Sequence, residues 1–184
     1  MSLRQRIPFR AADDDDGRHV LDETEQEELI ETLRNQNSQS SHQAIILLDV
    51  VLACATLLQV VFLLKDPKQS PLFALFPPSS WDAMPAPVLL TILAFLLHAN
   101  LVLHVHPTLI PASMPLPLSY ATSYALALVA PTLSIFLGRV WQTTAWTFAP
   151  AAVVGLVHSV HSTLREGDAA LAELETLKYN APGA

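Results

Sequence analysis

The sequence predicts an all-α fold: an integral membrane bundle of about four transmembrane helices with short helical tails. Three observations carry this prediction. Four apolar runs lie between residues 44 and 164, each close to the length that crosses hydrocarbon. The chain is 51% hydrophobic and 15% charged, where soluble domains carry about 25% charged residues. The charges also avoid the middle of the chain, since ten of the 17 acidic residues fall between Asp13 and Glu31. The net charge of −7 therefore belongs mostly to one tail. It argues against nucleic acid as a partner, which would need a basic face.

Residues 1–41 read as an acidic N-terminal tail. No apolar stretch precedes about residue 44, so a cleavable signal peptide is not expected, and the Asp run is foreign to a mitochondrial transit peptide. Residues 1–20 are polar enough to read as disordered. A helix follows over about 22–35, with Asp22 as its cap and Glu25 three residues on. Leu29, Ile30 and Leu33 form a narrow apolar stripe on it. The stripe suits either a solvated helix or one that docks on a partner. Residues 35–41 read as a polar break.

The membrane domain is expected over 42–165. Its first span, 44–64, carries one charge, Asp49, and its 21 residues reach about 30 Å as a helix. A Pro-rich loop runs on to Pro87, with Phe76 and Trp81 as interfacial anchors. The second and third spans are 88–106 and 116–137, and Pro131 should kink the third. The fourth, 145–164, is diluted by Pro150, His158 and His161, so an interfacial helix is the competing reading. In the C-terminal tail, 166–184, Asp168 can cap a short helix carrying Leu171, Leu174 and Leu177.

With four spans both tails share a side. That side holds 7 of the 10 Lys and Arg residues, against Lys65, Lys68 and Arg139 opposite, so both tails are expected to be cytosolic. Leu3-Arg4-Gln5-Arg6 resembles arginine-based retrieval signals of the endoplasmic reticulum, which is the expected membrane. The RQRIPFR start, the LDETEQEELIETLR helix and the AELETLKYNAPGA end resemble a group of small fungal membrane proteins. The resemblance implies a multi-span endomembrane protein and implies no reaction.

Polar groups inside hydrocarbon usually face the bundle interior or a wet cavity. The intramembrane candidates are Asp49, Gln59, His98, Asn100 and His104. Asp49 is expected to be paired across the bundle. The candidates are Asn100, His104, Tyr120 and Tyr124, with His104 favoured by depth. His42, His104, His106, His158 and His161 should gather at the cytosolic face, with Arg165 continuing the side of His158 and His161. Such a group can hold anionic lipid headgroups together with Arg165, or a substrate, or a metal, or simply sit well at an interface. No metal or cofactor is assigned. The lone cysteine, Cys54, excludes an internal disulfide, and no G-x-S-x-G, H-E-x-x-H or P-loop pattern occurs.

The leading expectation is a non-enzymatic accessory or scaffold protein that touches the bilayer and a protein partner. Leu29, Ile30, Leu33, Leu171, Leu174 and Leu177 are the partner-binding candidates. Both tail helices are acidic, so they should repel each other and prefer a basic partner. The alternative is a small transporter or lipid-modifying enzyme built on Asp49 and the cytosolic-face histidines.

Overall fold

A computed structural model describes residues 23–66, 68–78, 82–109 and 117–176. The expected cap Asp22, the anchor Trp81, Leu177 and the Arg4–Arg6 signal lie outside the described residues. Among the described residues the chain is all helical, with α1 (Glu23–Leu64), α2 (Pro87–Val105), α3 (Tyr120–Ala127), α4 (Val129–Phe136) and α5 (Trp141–Thr176). Short 3-10 turns occupy Pro71–Ala74 and Pro107–Leu109. Three helices, α1, α2 and α5, are long and apolar enough to cross a membrane.

The third apolar segment, Tyr120–Phe136, is shorter at 17 residues. It is interrupted at Leu128, between α3 and α4. Pro131 lacks an N–H, so the carbonyl of Ala127, four residues earlier, has no helical donor, and the turn loosens there. Pro150 is tolerated, by contrast, within the continuous α5.

Two expected breaks do not occur. Residues 35–41 are helical, so the tail helix and the first apolar run form one rod of 42 residues. Asp168 caps nothing, because α5 passes through it and runs for 36 residues. At about 1.5 Å per residue these rods measure roughly 63 and 54 Å, well beyond the ~30 Å hydrocarbon thickness. Their overhangs pack antiparallel. Arg34 pairs with Glu31 and reaches Glu175 across the helices, and Asn37 Nδ2 donates to Asp168 Oδ1 at 2.8 Å. Gly167 leaves room for the Asn37 side chain, since a Cβ there would stand 2.8 Å from Asn37 Oδ1. The expected repulsion between acidic tails is thus overturned. One arginine set among glutamates, and a polar pair over a glycine, make the contact.

The same antiparallel register continues to the far end, where the Phe62 and Trp146 rings meet at 5.7 Å. α5 is central, with Val154 and Val157 fully buried and contacts to all four other helices. Buried apolar residues of α1, α2, α3 and α5, among them Leu48, Leu52, Leu97 and Leu101, form the larger core.

Beside this core, burial departs from that of a water-soluble domain. Leu47, Leu57, Leu89, Leu96, Ile135 and Phe136 are exposed, while Gln59, Thr91, His98, Asn100, Ser123, Ser134 and Thr147 are buried. Contiguous exposed apolar surface of this kind is avoided in water. It is compatible with lipid contact, in which polar groups turn inward to find partners and small residues let helices approach.

Candidate functional site

At the end of α2 three ring systems stack in a row. The Tyr120 ring lies between His104, at 4.5 Å between centroids, and His158, at 4.3 Å, nearly parallel to both. Its hydroxyl is 2.8 Å from His161 Nδ1. One turn on, the Tyr124 hydroxyl is 3.2 Å from His158 Nδ1. Spacing explains the arrangement. Tyr120 and Tyr124 are four apart on α3, His158 and His161 are three apart on α5, and both spacings put a pair on one helical face.

His104 is fixed from behind. Its Nε2–H donates to the Leu118 carbonyl at 2.7 Å. Asn100, one turn earlier, holds the same residue: its Oδ1 accepts from the Leu118 N–H at 2.8 Å, and its Nδ2 donates to the Leu118 carbonyl and to Ser123 Oγ. The expected shared face of Asn100 and His104 therefore exists, but it clamps the entry to α3 and does not meet Asp49. Ser119 then caps α3 by accepting from the Thr122 N–H.

Asp49 pairs instead with His106, whose Nε2 lies 2.8 Å from its Oδ1. His106 is the residue just past α2, with φ −121° and ψ 73°. Two residues apart, His104 and His106 would project about 200° apart on a helix. Leaving the helix turns His106 toward α1 while His104 faces α3. The Asp49 side chain is 44% exposed on the helix surface, and His106 gives its carboxylate a polar partner within the first apolar run. Asp49→Asn should keep the thermal midpoint in detergent within about 2 °C of wild type, because an amide oxygen still accepts from His106. A loss several times larger would show that the negative charge itself is required.

The other candidates are dispersed. Thr56 gives its hydroxyl proton to the Leu52 carbonyl at 2.7 Å, leaving its oxygen to face His98 Nδ1 at 3.5 Å. His98 is buried, and its Nε2 has no partner among the described residues. Gln59 is buried further along α1. His42 is exposed on α1 and does not join the rings. Leu33, Leu171 and Leu174 line one groove between the overhangs of α1 and α5, whereas Leu29 is exposed and Ile30 half-buried. Leu33 and Leu171 are half-buried there, between the two helices, while Leu29 and Leu174 keep exposed surface.

Beside the rings, where α1 and α5 pass α2 and α3, a cavity of about 250 Å³ opens. His104, Tyr120, His161, Arg165 and Asp168 supply its polar side, and Ile45, Leu48, Val157 and Leu164 its apolar floor. No group of three His, Cys, Asp or Glu among the described residues is placed to hold a metal ion. The chemistry on offer is ionic and hydrogen bonding.

Sequence reasoning missed a second polar centre at the opposite end. Asp82 is buried in the Pro-rich loop, with Arg139 Nη1 at 2.7 Å and the Val140 N–H at 3.0 Å from its two oxygens. Burial alone would push its carboxyl up, but the Arg139 guanidinium and the Val140 N–H hold it below the usual range. Ser70 adds a second tie by donating to the Gln142 carbonyl at 2.9 Å. These bonds fasten the loop to the start of α5. The available signal was that Asp82 and Arg139 are among the few charges expected on that side.

Among the described residues the fold is all helical, with three helices long and apolar enough to span a membrane. No family model matches the chain, and no curated protein or solved structure is found to be similar to it.

Proposed function

We propose that the chain is a non-enzymatic accessory or scaffold protein of the endoplasmic reticulum membrane, with four spans and both tails cytosolic. Tyr120–Phe136 serves as the third span. The overhangs of α1 and α5 form a two-helix stalk that docks a membrane-protein or cytosolic partner.

The stalk is the observation that carries this reading. Two helices continue about 30 Å and 18 Å past the apolar runs and pair through Arg34–Glu175 and Asn37–Asp168, and α1 continues beyond the end of α5. The exposed side of the stalk is acidic, with Glu27, Glu28 and Glu173, and leaves Leu29 and Leu174 in solvent. Negative charge around two leucines favours a basic partner with a small apolar contact. The transporter or enzyme reading gains less support, because Asp49 is paired with His106 and does not line the histidine cavity.

Two experiments test it. Protease treatment of sealed microsomes should remove tags from both ends, and protection of either tag overturns the topology. Glu27, Glu28, Leu29 and Leu174 can be changed together to Lys, Lys, Ser and Ser, leaving the helices and the Arg34 and Asn37 contacts in place. Affinity purification in mild detergent should then lose the co-eluting partner, whereas Asp49→Asn and His158→Ala should keep it. The opposite pattern would replace this reading with the transporter or enzyme one.

A further inference from the structure

The cavity beside the ring stack brings together unlike charges that do not neutralise each other. Arg165 lines it and has no carboxylate partner among the described residues. Asp168, one turn on, lines it too, yet among the described residues only one of its oxygens is engaged, by Asn37. Residues three apart on a helix share a face, so a cation and an anion stand side by side with space between them.

We propose that this cavity holds a phosphoethanolamine headgroup, with the phosphate on Arg165 and His161 and the ammonium on Asp168. Arg presents a planar fork suited to phosphate oxygens. His161 has Nδ1 engaged by Tyr120, which leaves Nε2 for a ligand. The free oxygen of Asp168 accepts N–H bonds, which a primary ammonium offers and a quaternary one does not. A quaternary ammonium would instead seek an open aromatic face, and both faces of Tyr120 are covered by His104 and His158. The volume of about 250 Å³ suits a headgroup better than a whole lipid. The apolar floor of Ile45, Val157 and Leu164 gives the start of an acyl chain somewhere to lie. The proposal rests on the membrane placement above, which sets the cavity near the boundary between hydrocarbon and headgroups.

The test supplies detergent-solubilised protein with short-chain phosphatidylethanolamine, phosphatidylcholine and phosphatidylglycerol of equal acyl composition, and counts retained lipid by native mass spectrometry. Preferential retention of phosphatidylethanolamine is expected. Arg165→Ala should lower it about tenfold, the loss of one charge-assisted bond, and Arg165→Lys less. Asp168→Asn should erase the preference over phosphatidylglycerol and leave binding itself in place. Soluble phosphoethanolamine that displaces the lipid would support the same headgroup chemistry with a soluble source, and failure to compete would support a lipid source. Equal retention of all three lipids, or a preference untouched by both variants, overturns the proposal. Alkaline carbonate extraction reads the placement separately: protein released by carbonate fails both readings, while protein retained without headgroup preference fails only this one.

Discussion

Asn100→Ala is expected to be strongly destabilising. It removes three hydrogen bonds at once, from the Leu118 N–H and to the Leu118 carbonyl and Ser123 Oγ. At ~1 kcal/mol each the loss is about 3 kcal/mol, or roughly 6–12 °C in the thermal midpoint for a chain of this size. The Leu118 N–H is left without its acceptor, and α3 loses the register that sets Tyr120 between His104 and His158. His104→Ala removes a single bond to Leu118 and should cost about a third as much. Thermal unfolding in detergent, followed by tyrosine fluorescence or circular dichroism, ranks the two. An Asn100→Ala protein as stable as wild type would mean that the entry to α3 is held by other contacts.

Asp82→Ala is expected to loosen the opposite end by about 2 kcal/mol, since it leaves the Arg139 guanidinium and the Val140 N–H without their acceptor. The bond also gives stability a pH dependence of definite sign. The carboxyl of Asp82 is held below its ordinary value in the folded chain, so the folded state favours the ionised form. Its contribution is fully present above the unfolded pKa of about 3.9 and is lost as pH falls through the lowered folded value. Thermal midpoints of wild type and Asp82→Ala measured across that range should therefore converge as pH falls. A difference that stays constant down to acid would assign the loss to packing and not to the charged pair. Asp82→Asn separates the two further, because it keeps an acceptor for Val140 while removing the charge beside Arg139.

Both predictions fall on residues whose importance was unevenly legible. The sequence by itself determined what depends on local composition. Runs such as 44–64 and 88–106 are too apolar and too long to be anything but buried or lipid-facing helices. The positions of Asn100 and His104 on one face, and the loosening ahead of Pro131, follow from helix period and proline chemistry alone. The residues of the ring cluster were likewise visible as polar groups in apolar runs, although the ring contacts among them were not.

What only the tertiary structure decided was partnership. Helix period places side chains on a face but does not say which helix the face meets. His106 took Asp49 from the favoured His104 because α2 ends at Val105 and the next residue departs from helical geometry. Local propensity also misplaced the helix ends. Residues 35–41, rich in Asn, Gln and Ser, favour turns in isolation, yet they remain helical where Asn37 meets Asp168 and Gly167 on α5. The two acidic tails were read as repelling from their net charge. A single arginine between Glu31 and Glu175, and a glycine that leaves room for the Asn37 side chain, act at distances where specific contacts outweigh screened net charge. The tie between Asp82 and Arg139 joins residues 57 apart in the chain, and no periodicity links positions so separated. Such pairings are set when helices pack, because only then do desolvated polar groups have to find one another.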